Sequence, residues 1–225
     1  MPIPILASLA GRRLTDLRKK IPRSPRYNWP MLTVAIQAGG RSRRMGRDKG
    51  LVLLRGRPMV SHLIDRVAEL GDEILITTNR PEDYAFLGVR LASDDSPGAG
   101  ALSGLRTALQ AASGEKDLIL ACDMPFVSRP LLVHLTGLAS QADVVIPRPA
   151  GDYEPMHAVY DKSCLTEIET SLELGDLRMI SFFPRVRVLT VEDEELERLD
   201  PGKLSFFNIN TPEDLAQAER LLGEA

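Results

Sequence analysis

Apolar positions along this chain fall into short runs that alternate with longer stretches of helical period. The first run, Leu32 to Ile36, reads as a buried strand and breaks at Ala38-Gly39-Gly40. Leu51 to Leu54 reads as a short extended run, and Gly56-Arg57-Pro58 as a turn. Pro58 then sets the start of a helix to about Leu70, with Val60, Leu63, Ile64 and Val67 on one face. Glu73 to Thr77 and Val89 to Leu91 predict the next strands, with one helical turn at Glu82 to Phe86 between them. Leu102 to Ala112 follows as a helix. Asp117 to Ala121 is the strongest strand and is expected at the centre of the sheet.

The alternation continues to the C-terminus. Arg129 to Leu138 predicts a helix, Asp143 to Pro147 a strand and Met156 to Tyr160 an extended segment. Ser163 to Leu174 predicts a helix with Ile168 and Leu172 inward, and Leu177 to Phe183 a short helix ended by Pro184. Arg185 to Thr190 alternates as a half-buried strand, and Leu204 to Ile209 is a last extended piece. Thr211-Pro212-Glu213-Asp214 carries an N-cap, a proline at the first helical position and a capping-box acid. Strands separated by helices predict a mostly parallel sheet in a three-layer α/β sandwich.

Composition changes this picture only at the N-terminus. Residues 1–30 hold seven Lys/Arg (Arg12, Arg13, Arg18, Lys19, Lys20, Arg23, Arg26) and one acid, Asp16. The remaining residues hold 21 bases against 30 acids. Residues 1–30 are therefore expected to be a basic extension, flexible or not native, with translation starting at Met31 as one account and a short amphipathic helix or a nucleic-acid or membrane contact as the others. Residues 31–225 form the single expected domain. Its acidic balance argues against nucleic-acid binding. No apolar run approaches the ~18 residues of a membrane span. Cys122 and Cys164 lack a metal-ligand spacing and read as reduced core thiols, which fits a cytoplasmic protein.

In an open parallel sheet, ligands bind beyond the carboxyl ends of the strands. Four polar clusters fall there. After the first strand, Gly39 and Gly40 let backbone N–H groups approach an anion, and Arg41, Arg43, Arg44, Arg47 and Lys49 follow within ten residues. That combination suits a polyphosphate, although a glycine turn with a solvated basic loop has the same composition. Asn79 ends the second strand, where it either contacts ligand or caps the turn before Pro81. Asp94 and Asp95 end the third, as ligand contacts, helix cap or solvated acids. Asp123 follows the fourth, either as a fixed carboxylate suited to Mg²⁺ and the phosphates of a nucleotide or as an acceptor for local N–H groups before Pro125. The assembled arrangement suits attack on an α-phosphorus with pyrophosphate leaving, with Lys49 and Arg44 offsetting charge on the leaving group.

Other chemistries drop out. Gly98, Gly100 and Gly104 give G-x-G-x-x-x-G after the third strand, which is not the dinucleotide fingerprint. The chain has no H-E-x-x-H and no G-x-S-x-G. His62 and His134 are expected to be structural or exposed, and His157 lies nearer the acceptor side.

Gln37-Ala38-Gly39-Gly40-x-Ser42-x-Arg44-Met45-Gly46-x-Asp48-Lys49 closely resembles the opening motif of the molybdenum cofactor guanylyltransferases, the MobA family. The resemblance continues through Asp94, Pro97-Gly98-x-Gly100-x-Leu102-x-Gly104, Cys122-Asp123-Met124-Pro125 and Asn208-Ile209-Asn210-Thr211-Pro212-Glu213-Asp214-Leu215. It implies a Rossmann-like sheet of the nucleotide-diphospho-sugar transferase type. It also implies transfer of GMP from Mg²⁺-bound GTP to the terminal phosphate of molybdopterin carrying molybdenum, with pyrophosphate released. Carried onto this chain, Gln37, Ala38, Gly39 and Gly40 contact the nucleotide largely through backbone, and Lys49 binds phosphates. Asn79 and Asp94 contact base or ribose, Asp123 holds Mg²⁺, and Asn208 and Asn210 face the pterin, with His157 on the same side. Molybdoenzymes or cofactor-delivery proteins are the implied partners.

Ala-Gly-Gly and the Asn-x-Asn-Thr-Pro ending favour guanine over cytosine. Gln37 stands where leucine is more usual in the family, and Ala101 where proline often is. The alternatives are a CTP-dependent molybdopterin cytidylyltransferase, a sugar-phosphate or phospholactate nucleotidyltransferase, and a non-catalytic nucleotide-binding partner in cofactor delivery.

Overall fold

All six residues of strand β1 (Leu32–Gln37) are buried, which only an interior strand of a sheet covered on both faces allows. The computed structural model describes residues 31–38, 48–93 and 100–223. A short hairpin of β2 (Leu53–Leu54) and β3 (Arg57–Pro58) follows, then β4 (Glu73–Thr77), β5 (Arg90–Ala92) and β6 (Lys116–Ala121). After these come β7 (Val144–Pro147), β8 (His157–Asp161) and β9 (Val188–Val191). The described helices are α1 (Met59–Val67), α2 (Pro81–Tyr84), α3 (Gly100–Ala111), α4 (Arg129–Gly137), α5 (Leu165–Glu173), α6 (Asp193–Leu199) and α7 (Pro212–Leu221).

Among the described residues seven strands make one sheet in the order β5-β4-β1-β6-β8-β7-β9, which puts β6 at its centre as the apolar pattern predicts. Neighbouring pairs are parallel except around β8, which runs antiparallel to both β6 and β7. The link from β7 to β8, residues 148–156, is too short for a crossover helix, so β8 must return in the opposite direction.

Side chains alternate across β1 and β6. Val34, Ile36, Leu118 and Leu120 face a core completed by Val60, Leu63 and Val67 of α1 and by Leu131 and Leu135 of α4. Ala35 and Ile119 face the other core, completed by Leu102, Leu105 and Leu109 of α3 and Ile168 of α5. Each fully buried Leu or Ile here contributes about 1.5–3 kcal/mol. A third cluster, Val52, Leu54, Met59, Phe126, Ile209 and Ala218, packs the hairpin and α7 together beside the strand ends.

Four expectations need correction. Leu177 to Phe183 is not a helix: the chain passes through turns into a 3₁₀ turn at Phe183–Arg185 that contains Pro184. The Asp176 carboxylate accepts the Arg178 N–H at 3.3 Å, a local bond that competes with a helix, and Phe182 and Phe183 pack edge-to-face at 5.1 Å. Leu204 to Ile209 is not extended throughout, because Leu204–Phe206 forms a 3₁₀ turn and the segment joins no strand. Lys49–Leu51 is likewise a 3₁₀ turn, and the hairpin bend falls at Arg55 and Gly56, both with positive φ, one residue earlier than expected. The acidic run at Asp193 is a helix not foreseen, with Asp193, Glu194 and Glu195 placed favourably in its first turn. The predicted C-terminal helix starts with the expected capping box of Thr211 and Asp214.

Candidate active site

Chain order reverses between β1 and β6: the chain leaves β1 toward β4 and β5, then returns to β6 on the other side. The crevice beyond those two strand ends is the switch point at which open α/β sheets bind ligands. Backbone bonds fix its floor. Cys122 N–H donates to the Gln37 carbonyl at 3.1 Å, and Ala38 N–H to the Thr77 carbonyl at 2.8 Å.

Lys49 enters this floor from a turn built by its neighbours. Asp48 caps the Lys49–Leu51 turn by accepting Gly50 N–H at 3.2 Å. It also accepts a short hydrogen bond from the Tyr84 hydroxyl. Burial raises the Asp48 carboxyl above its ordinary range, against the opposing pull of the Tyr84 and Gly50 bonds. Burial likewise holds the Tyr84 phenol well above its usual value, so it stays a donor. A Cβ on Gly50 would lie 2.6 Å from the Tyr84 hydroxyl oxygen, so the turn needs glycine for space.

From this turn, Lys49 Nζ reaches Asp123 Oδ2 at 2.7 Å and Asn210 Oδ1 at 2.5 Å. Lysine donates only, so Asn210 must present its oxygen to it. Asp123 stands two residues beyond the end of central β6, and its carbonyl accepts Ile209 N–H at 3.0 Å. Asn210 is held from the other side, because its N–H and that of Thr211 both donate to Asp214 Oδ2 at 2.9 Å. Three segments remote in sequence thus converge on one ammonium group. Two oxygens of the hard type preferred by Mg²⁺ hold a cation here, so the donor set fits a divalent ion with phosphates completing its shell. Among the described residues no three His, Cys, Asp or Glu side chains converge to hold an ion by themselves.

The other expected site residues divide by position. Gln37 and Ala38 lie at the floor, with the Gln37 side chain buried against Gly104 of α3 and its Nε2 without a hydrogen-bond partner. Asn79 stands exposed after β4, where Thr78, not Asn79, accepts the N–H before Pro81 at 3.2 Å. Asn208 is half-buried and its amide donates to the Phe206 carbonyl at 3.4 Å. Gly39, Gly40, Arg44 and Asp94 lie outside the described residues, as do residues 1–30.

His157 is fully buried and does not reach the crevice surface. Its ring meets Phe206 edge-on at 5.3 Å, neither nitrogen has a partner, and burial pushes its pKa down to about 3. It therefore supports the segment that carries Asn208 and Asn210. His62 bonds the Leu54 carbonyl at 2.8 Å and His134 pairs with Glu195 at 3.0 Å, both structural roles as expected. Cys122 and Cys164 are free and buried, and burial raises both thiols, so neither is poised as a nucleophile.

Sequence reasoning missed Asp48 and Tyr84 as the residues that position Lys49. Asp48 had a signal, since a side-chain acceptor directly before a turn is a cap. Tyr84 had none, because its contact with Asp48 is made only through the fold.

The chain as a whole is similar to known proteins. Residues 34–188 match the family described as the MobA-like NTP transferase domain. A probable molybdenum cofactor guanylyltransferase of Pelotomaculum thermopropionicum is 38% identical over 192 residues, 85% of this chain and 93% of that one. A molybdenum cofactor guanylyltransferase of Desulfosudis oleivorans is 36% identical over 190 residues, 84% of this chain and 94% of that one. Among solved structures, molybdopterin-guanine dinucleotide biosynthesis protein A from Archaeoglobus fulgidus superposes with a TM-score of 0.75 at 28% identity. That match covers 86% of this chain and all of the other. A 4-diphosphocytidyl-2C-methyl-D-erythritol synthase from Anaerococcus prevotii, 18% identical with a TM-score of 0.65, shares the fold.

Proposed function

The chain belongs to the MobA-like NTP transferase family, and from that premise we propose which residues perform its reaction. It is a nucleotidyltransferase that transfers GMP from GTP to molybdopterin, forming the guanine dinucleotide form of the molybdenum cofactor. The convergence of Lys49, Asp123 and Asn210 at the switch point supports this site assignment. An oxygen of the acceptor phosphate attacks the α-phosphorus, the bond to the β-phosphate oxygen breaks, and pyrophosphate leaves. The acceptor phosphate is already anionic near neutral pH, so no side chain need deprotonate it. The work of the protein is alignment and charge compensation.

Gln37 through Gly40 cradle the nucleotide largely by backbone, and Asn79 and Asp94 read base or ribose. Lys49 and Arg44 offset charge that develops on the leaving pyrophosphate. Asp123 is the ligand for Mg²⁺, which when bound supplies electrostatic stabilisation of the phosphate oxygens. Asn208 faces the pterin, on a segment kept in place by Phe206 against His157. Asn210 spans both sides, because its oxygen meets the Lys49–Asp123 pair. No helix among the described residues is long and apolar enough to cross a membrane, and we place the reaction in the cytoplasm, with the product passed to a molybdoenzyme or a cofactor-delivery protein.

The deciding experiment measures pyrophosphate release from GTP with and without molybdopterin carrying molybdenum, with CTP in parallel. GTP turnover that depends on molybdopterin is expected. Turnover with CTP and not with GTP would overturn the guanylyl reading.

A further inference from the structure

Lys49 holds the only positive charge that the described hydrogen bonds bring to Asp123 and Asn210, and it sits between their oxygens at 2.7 and 2.5 Å. These are two of the hard oxygens that the described residues offer to a metal ion, and here they are engaged by a cation of the chain itself. The backbone that carries each partner is held in place. Asp123 is fixed by central β6 and by the Ile209 N–H, and Asn210 by the carboxylate of Asp214. Lys49 starts from a turn locked by Asp48 and Tyr84, so its ammonium is delivered to this point by the fold.

We propose that Lys49 is the resident cation of the metal site in the empty enzyme, so that a divalent ion is admitted only together with nucleotide. This rests on the reading of Asp123 as the metal ligand. A magnesium ion draws its oxygens to about 2.0–2.1 Å, so an ion on Asp123 Oδ2 and Asn210 Oδ1 would stand against the ammonium group already there, and the two cations repel. To enter alone, it would lose part of its hydration and expel Lys49 from two partners, receiving one carboxylate and one amide oxygen. Magnesium dehydrates reluctantly and prefers one or two carboxylates plus substrate phosphates, so that exchange is unfavourable. A nucleoside triphosphate changes both sides at once. Its phosphates give the ammonium a new anion and supply the ion with the missing oxygens. Lysine suits the role because it is a compact point charge on a flexible stem, with three donors that re-aim without a fixed fork.

The arrangement also removes two unproductive states. Free metal cannot occupy the empty crevice, and Asp123 is never left as an unpaired, largely buried carboxylate; its side chain is 13% exposed. Lys49 is therefore a positioning residue before it is a phosphate ligand.

The test is Mn²⁺ binding to the full chain without nucleotide, read by the electron paramagnetic resonance signal of free Mn²⁺. The wild-type protein should take up little Mn²⁺ until GTP is added. Lys49→Met should bind Mn²⁺ at least about tenfold more tightly than wild type with no nucleotide present, and Lys49→Met/Asp123→Asn should lose that gain. Lys162→Met removes the same charge where Lys162 bonds the Ala112 carbonyl, away from this site, and should leave Mn²⁺ affinity unchanged. Equal Mn²⁺ affinity in wild type and Lys49→Met overturns the proposal, as does an equal gain in Lys162→Met. Tight stoichiometric Mn²⁺ uptake by the empty wild-type enzyme overturns it as well, and needs no variant to fold. Because the outcomes that overturn the proposal are read with neither substrate present, its failure is separate from failure of the GTP turnover assay.

Discussion

The hydroxyl of Tyr84 donates to the carboxylate of Asp48, joining the end of α2 to the turn that carries Lys49. Tyr84 is fully buried and belongs to the main core, so the position of Lys49 is referred to the packing of the sheet. Tyr84→Phe keeps that packing and removes one donor from a half-buried carboxylate. It should destabilise the fold by about 1–3 kcal/mol and raise the KM for GTP, read by urea unfolding and steady-state kinetics. Unchanged stability and kinetics would show that the bond positions nothing.

Gly50→Ala should be strongly disruptive, because its Cβ would meet the Tyr84 hydroxyl oxygen at 2.6 Å. A loss of about 1–3 kcal/mol is expected from overpacking. The same substitution in a Tyr84→Phe background should cost less, since the closest clashing atom is gone. A double-mutant cycle by chemical denaturation reads that coupling directly. Strict additivity would place the clash elsewhere.

Asp117 lies fully buried at the opposite end of β6 from the crevice, and burial lifts its pKa from 3.8 to about 8. The unfolded chain ionises this carboxyl near 3.8, whereas the folded chain holds its proton to about 8. The folded state thus binds more protons between those values, and stability falls as pH rises through that window. Below it both states are protonated and the group is neutral in effect. Asp117→Asn should therefore be more stable than wild type at pH 8, with the advantage shrinking toward pH 4. Thermal unfolding across that range checks the sign, and an advantage that grows toward low pH would refute it.

Asp123→Ala should abolish transfer while leaving the fold in place, because Asp123 is a site carboxylate and not a core side chain. Removing a preorganised electrostatic group of this kind costs about 10²–10³-fold in kcat. Lys49 is 24% exposed and can return to water, so the thermal midpoint should move little. Near-normal metal-dependent activity in the folded variant would remove Asp123 from the mechanism.

The chain's own pattern determined the layers, most of the strands, the capping box of α7 and the place of β6 at the centre. Those features depend on local periodicity and cap chemistry, which a sequence carries residue by residue. Asp123 was legible for the same reason, as a carboxylate directly after the strongest strand. Only the tertiary structure decided that Asn210 shares one cation with Asp123, that Tyr84 and Asp48 fix Lys49, and that His157 lies beneath Phe206. Each of these is a contact between segments far apart in the chain, selected by how the sheet order and the third apolar cluster bring strand ends and α7 together. The failed assignments at Leu177 to Phe183 and Leu204 to Ile209 have the same origin. Phe182, Phe183 and Ile209 there are buried by packing against other elements while Leu177, Ile180 and Leu204 stay exposed, so the apolar spacing does not report one face of a regular element.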